Sequence, residues 1–398
     1  MTSNDLDFDV DLFTDDVADL PAWLAEVRET HPAAWVKLQG RRALLLSSYE
    51  YVSDAFRDEE RFPGGAHYNQ PGYVSVLGRT IQTYDGAEHK VQRSLVAPFF
   101  RGAQFRKLVE SMLAPVAHQM LDEMEAKGGD GPFDLVAELT RPYPIKVIAA
   151  MLGLPLTDAD TLARWAVALL DHGQNMTGAR AAAEEFFQYL KPVIDQRRTD
   201  PGEDLLSQLA TEEVDGERLT DNEIVAFISL LFPAGADTTY LNLGSTLWAL
   251  LTNRDQWEKV AADPAGLADK AAAEGLRWYP ATSLLPRTCP EDTEWKGIHI
   301  PAGTPMLLAL LGAGRDPEVY PDPDTFDIER PVKATMTFGA GPHFCLGLHL
   351  ARAEVSTVLR VLAERYPNLR LDPSVPSKIG SSFVTVLRGP DKLPVYLR

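Results

Sequence analysis

Residues 337–354 read TFGAGPHFCLGLHLARAE. Gly339, Gly341 and His343 precede a lone cysteine, Cys345, and Gly347 follows it. Beyond Gly347, apolar residues at Leu348, Ala351, Val355, Val358, Leu359 and Leu362 fall on one helical face, so a helix begins directly after the cysteine. The unpaired N–H groups and the dipole of a helix start favour a thiolate at that place. The glycines let the backbone fold closely around the sulfur. A single buried cysteine is commonly inert packing, but the glycine and histidine spacing favours a ligand.

The rest of the chain sets the limits within which that cysteine works. Its 398 residues contain no low-complexity segment, fixed-period repeat or Pro- or Gly/Ser-rich linker, so a single domain over 1–398 is expected. Cys289 is the only other cysteine, which excludes a disulfide framework or a four-cysteine zinc site. The acidic start, MTSNDLDFDVDLFTDDVADL, lacks the basic and apolar regions of a secretory signal. The most apolar run, IVAFISLLFPAGA at 224–236, is read as too short to span a bilayer. A soluble, monomeric, cytoplasmic protein is expected. A net charge of −19 repels polyanions, which argues against nucleic acid or anionic membrane as the main partner. Against that background the stretch 89–107, HKVQRSLVAPFFRGAQFRK, is conspicuously basic.

Helical periodicity covers 106–126, 142–151, 157–170, 179–198 and 220–252, while strand-like pieces are few: AAWVKL and RALLLS around a Gln-Gly-Arg turn, GIHI, PMLLAL, and the tail after Ser381. The expected class is mainly α with small peripheral sheets. Residues 220–252 begin with a capping box, Thr220 to Glu223, and would make roughly 50 Å of helix. Pro233 and Gly235 should open or bend that helix in its middle.

The segment Phe338-Gly339-Ala340-Gly341-Pro342-His343-Phe344-Cys345-Leu346-Gly347 resembles the FGxGxHxCxG haem loop of the cytochrome P450 superfamily at every fixed position. The resemblance extends from about residue 10 to the C-terminus and implies a cytochrome P450 fold, with haem b between a long central helix and the helix of the cysteine loop. It makes Cys345 the axial ligand of the haem iron. Three further motifs stand in the order it requires. Glu274-Gly-Leu-Arg277 is similar to ExxR, with Arg330 as its later partner; alone, such an i,i+3 pair is an ordinary surface contact, and all three residues are assigned to architecture. Ala234-Gly235-Ala236-Asp237-Thr238-Thr239 resembles the oxygen-activation groove, so that Asp237 and Thr238 would deliver protons; a mid-helix threonine otherwise bonds back to the carbonyl four residues earlier. Asp85-Gly-Ala-Glu88-His89-Lys-Val-Gln-Arg93 is similar to HxxxR. By the same resemblance His89, Arg93, Arg287 and His343 meet the haem propionates. Gly314 and Gly275 depart from the family's usual residues without touching the proposed chemistry.

The activity implied is a haem-thiolate monooxygenase that inserts one atom of O2 into an apolar small molecule. The cysteine thiolate favours O–O cleavage in such centres. No flavin or iron–sulfur domain is found in the chain, so ferredoxin and ferredoxin reductase are the expected partners, docking at Arg101, Arg106 and Lys107. The resemblance places the loop GGAHYNQPGYVSVLGRT and Leu231, Ala234, Thr282, Leu284, Leu285 and Phe383 in the substrate pocket. A peroxide-using haem-thiolate enzyme is disfavoured by the acid and alcohol pair. A haem gas sensor would need ligation alone, and a hydrolytic Cys345 would need His343 in the same cleft.

Overall fold

The long apolar stretch forms the axis of the molecule. In the computed structural model, which describes residues 7–398 apart from 16, 102, 130, 174, 215, 332 and 384–385, it is one helix, Asp221–Thr252. The expected capping box starts it: Thr220 Oγ1 accepts the Glu223 amide at 3.3 Å, and Glu223 Oε2 accepts the Thr220 amide at 2.8 Å. The helix is continuous through Pro233, the place where the sequence predicts an opened or bent ladder. One missing N–H leaves a single carbonyl without its ladder partner, and packing on most sides of a buried helix outweighs that loss. By length and composition this helix could cross a bilayer, so the apolar run judged too short is part of a longer element; 67% of its most apolar window is buried inside the protein.

Two helices flank this axis and carry the motifs. Pro264–Trp278 starts with Asp263 capping the Gly266 amide and Pro264 in the first turn. Leu348–Arg365 follows the cysteine loop as the periodicity predicts, burying Leu350, Val355, Val358, Leu359 and Leu362. These two helices pack on each other and on the central helix, and Ala103–Glu125 and Pro142–Met151 extend the same apolar core.

The largest sheet has five strands in the order Asp7–Asp11, Ala33–Leu38, Arg41–Leu46, Thr304–Ala309, Leu284–Cys289. Ala33–Leu38 and Arg41–Leu46 form the expected hairpin; Gln39 (φ 53°) and Gly40 (φ 71°) take left-handed conformations at its turn, and the Asp11 carboxylate accepts both of their amides. Leu284–Cys289 brings Arg287 from this sheet to the cysteine loop's side of the core. A hairpin of Ile379–Phe383 with Leu387–Pro390 touches the sheet's neighbourhood through a bridge from Leu387 to Thr282.

Candidate functional site

Cys345 sits at the end of a loop clamped by backbone. Its amide donates to the Phe338 carbonyl at 3.0 Å. Gly341 has φ 75°, and a Cβ there would lie 2.5 Å from the carbonyl oxygen of Phe56, so the loop approaches the Tyr49–Arg57 helix as closely as backbone allows. The thiol is accessible, yet it opens on a cleft surrounded by protein. Burial pushes it above the ordinary thiol range, while the amides of Gly347 and Leu348 and the Arg93 guanidinium pull the other way. The helix start therefore acts on the sulfur as expected, but in the metal-free chain desolvation wins over it.

The four residues expected at the propionates share one neighbourhood: Arg93 acts electrostatically on His89, and His89 and Arg287 act on His343. The rings of His89 and His343 stack with centroids 3.9 Å apart. Burial lowers both imidazoles, His343 to about 4, so both are neutral at neutral pH. Arg287 is 6% exposed; it donates to the adjacent Pro286 carbonyl at 3.2 Å, and its guanidinium lies 5.4 Å from the Phe56 ring. Among the described residues no carboxylate lies within ion-pair distance of it, although Asp85 and Glu59 act on it from farther away. Arg93 differs: it donates to the Phe344 carbonyl at 2.6 Å and so braces the cysteine loop itself.

These residues fit a haem. A buried arginine without a counter-ion is costly, and among the described residues the buried His89 Nε2 finds no partner. Both needs are met by an anionic group lying where the cysteine cleft opens. The soft sulfur is a donor of the type that haem-thiolate centres use.

The ExxR motif is no surface pair. Glu274 and Arg277 are 4% and 3% exposed at their side chains and bond bidentately, with two contacts of 2.7 Å. Arg330 Nε joins the same carboxylate at 3.2 Å, and Arg277 also donates to the carbonyls of Gly314 and Pro323 at 2.8 Å. A Cβ on Gly314 would stand 2.5 Å from the Arg277 carbonyl oxygen, and one on Gly275 would stand 2.1 Å from Thr246 Oγ1. Gly314 thus meets the Arg277 backbone and Gly275 the Thr246 side chain, and a side chain at either position would clash.

On the central helix, Thr238 donates its hydroxyl hydrogen to the Ala234 carbonyl at 2.7 Å, the back-bond of an ordinary helix threonine. Its oxygen keeps lone pairs that can accept. Burial raises the Asp237 carboxyl to about 6, opposed by Arg141.

Of the expected pocket residues, Ala234 is exposed within the fold, and Leu231, Thr282 and Leu285 are half-buried. Leu284 is a correction. It has no accessible surface and packs among Leu12, Leu20, Leu24 and Leu307, because alternate strand residues face opposite sides and its side is the sheet's own core. Phe383 ends a strand, and its side chain lies outside the described residues. Sequence reasoning also passed over Asp85 as more than a helix start. Its carboxylate accepts the Gly65 amide at 2.8 Å and meets His343 Nε2 at 3.2 Å, contacts 20 and 258 residues away that no local pattern announces.

The profile of the Cytochrome P450 family matches residues 20–263 and 266–392. Mycinamicin IV hydroxylase/epoxidase of Micromonospora griseorubida is 32% identical, covering 93% of this chain and 94% of that protein. Steroid C26-monooxygenase of Mycobacterium tuberculosis is 34% identical over 88% of this chain and 93% of its own length. Among solved structures, the Bacillus subtilis bacillaene polyketide synthase cytochrome P450 PksS superposes with a TM-score of 0.86 at 29% identity, covering 95% of this chain and 96% of that one.

Proposed function

This chain belongs to the cytochrome P450 family, and from that premise we propose how its own residues divide the work of a haem-thiolate monooxygenase. The protein is an oxidoreductase that carries haem b and oxidises a small molecule with O2. When bound, haem supplies the oxidising power by activating O2 and passing one oxygen atom to the substrate.

One observation carries the site above all: Arg287, a buried cation with no counter-ion among the described residues, and His89, whose buried Nε2 has no partner among them, converge on His343 beside the accessible thiol. Cys345 would hold the haem iron through its thiolate, and the amides of Gly347 and Leu348 would temper the charge on its sulfur. His89, Arg93, Arg287 and His343 form the propionate side, with Arg93 also bracing the Phe344 carbonyl. Glu274, Arg277 and Arg330 hold the segment that leads into the cysteine loop.

On the opposite side, Asp237 holds a proton at its carboxyl in a range near neutral pH, where a group can both take and release one. Thr238 accepts a water's hydrogen on its hydroxyl oxygen while its own hydrogen stays on Ala234. Together they carry protons from solvent towards the pocket. The single domain spans the chain, acts as a monomer in the cytoplasm, and receives electrons from a separate ferredoxin and its reductase.

The substrate we propose is a bulky, mainly apolar molecule of the polyketide or steroid kind. The names of two relatives, one a mycinamicin IV hydroxylase/epoxidase and the other a steroid C26-monooxygenase, support that class. Half-buried Leu231 and Leu285 suit an apolar skeleton, and Thr282 offers a single hydroxyl. The test is the reduced carbon monoxide spectrum: wild type should show the red-shifted Soret band of thiolate ligation. Cys345→Ala should lose it, and retention of the band in that variant overturns the assignment.

A further inference from the structure

Asp85 occupies the N-cap position of the helix Gly86–Val96, the helix that carries His89 and Arg93. Aspartate at that position ordinarily turns its carboxylate onto the helix's own first amides. Here it makes no such bond. Its Oδ1 instead accepts the Gly65 amide at 2.8 Å and lies 3.2 Å from His343 Nε2. A single carboxylate therefore joins three segments far apart in sequence: the loop at Gly65, the start of the helix of His89, and the cysteine loop at His343. The approach at Gly65 is tight, since a Cβ there would stand 2.6 Å from Asp85 Oδ2. His343 in turn stacks on His89 at 3.9 Å, so the carboxylate sets the position of one imidazole directly and of the other through the stack. Giving up a helix cap for contacts with distant segments makes sense where the contacts serve a site.

We propose that Asp85 is a positioning residue of the haem site, clamping His343 and the Gly65 loop to the helix of His89 and Arg93 so that the propionate donors are correctly spaced. This rests on the reading that His89, Arg93, Arg287 and His343 face the haem carboxylates. Asp85 itself touches neither haem nor substrate; it works through the imidazoles, as partners of ligand histidines do in metal sites.

The experiment measures transfer of haem from the ferric holoprotein to excess apomyoglobin, using protein reconstituted with native haem and, separately, with haem dimethyl ester, whose propionates cannot accept charged hydrogen bonds. Asp85→Ala should release native haem about tenfold faster than wild type, the lower end of the effect seen for such supporting partners. With the ester, wild type and variant should release at the same rate. Asp85→Asn retains one acceptor oxygen without the charge and should fall between wild type and Asp85→Ala. If Asp85→Ala yields no holoprotein, a threefold or greater acceleration in Asp85→Asn confined to native haem carries the same conclusion. Wild-type rates in both variants, or equal acceleration with both haems, overturn the proposal, the second because it marks general damage to the loops. Arg287→Ala separates the two levels. Native-haem loss unchanged in Arg287→Ala overturns the donor reading, whereas an Arg287 effect beside inert Asp85 variants overturns the role of Asp85 alone.

Discussion

Asp237 shows how one residue couples burial, proton binding and stability. Its folded value of about 6 stands above the ordinary 3.8 because burial disfavours the charged form more than Arg141 favours it. Between those two values the folded chain binds more protons than the unfolded chain, so stability falls as pH rises through the window. Above pH 6 that cost is complete, and below about 4 it is absent. Asp237→Asn should therefore be more stable than wild type at pH 7.5, by at most roughly 3 kcal/mol and less to the extent that partial exposure screens the charge. At pH 5 the advantage should be smaller. Urea unfolding of the two holoproteins at both pH values measures this, and an advantage that shrinks with rising pH contradicts it. Under the proposed relay role, the burial that costs this stability is what sets the carboxyl in the range proton delivery needs.

At the scale of elements, the triad helix and the central helix cross at a point where only hydrogen fits. Gly275 faces Thr246, whose hydroxyl bonds back to the Asn242 carbonyl at 2.7 Å, and Asn242 in turn accepts the Ala281 amide at 2.8 Å. A methyl group at 275 would collide with Thr246 Oγ1, Cγ2 and Cβ, all within 2.7 Å. Alanine gains about 1 kcal/mol over glycine in a helix interior, yet overpacking of a core costs typically 1–3 kcal/mol. Here the clash involves a β-branched residue on a buried helix that cannot rotate away. Gly275→Ala should thus lower stability by about 1–2 kcal/mol, read as an earlier denaturant midpoint with the slope unchanged. An equal or later midpoint would show that the two helices can separate without loss. The same crossing lies between Glu274 and Arg277, so a shift there reaches the triad and the loop it supports.

For the molecule as a whole, the net charge of −19 makes any basic surface informative. Arg101, Arg106 and Lys107 are exposed, and Arg101 acts electrostatically on Arg93 beside the cysteine loop. A groove of about 770 Å3 runs beside them, lined by Phe100, Val109, His349 and Arg360 among others. An acidic electron donor would be steered to this side against the general repulsion of the chain. Reversing the three charges should slow first-electron transfer from a ferredoxin most at low ionic strength, where screening is weakest. Stopped-flow rates over a salt series measure it; an unchanged rate and an unchanged salt slope place the docking surface elsewhere.

Much of this protein is legible in its sequence because its strongest signals are local. Helix periodicity, the Thr220–Glu223 capping box, the Gln39-Gly40 turn and the spacing of Cys345 before a helix depend on neighbours within a few residues, and the chain adopts each of them. What failed to show were outcomes decided between distant segments. Pro233 does not interrupt its helix, because tertiary packing outweighs one lost hydrogen bond. Leu284 turns into the sheet's core instead of the pocket, since strand pleat and not residue type decides the side it faces. Glu274 and Arg277, assigned to architecture with Arg330 through the family resemblance, are buried, but the close approaches that leave room only for glycine at 275 and 314 are not visible in the sequence. The thiol's own balance between helix amides and desolvation, and the clamp of Asp85 on Gly65 and His343, arise only once loops meet. Sequence alone determined most of the elements, because backbone hydrogen bonding and side-chain pattern are local properties, and through the family resemblance it nominated the site residues; tertiary structure decided burial, charge state and partnership, because dielectric and contact depend on residues the chain brings from far away.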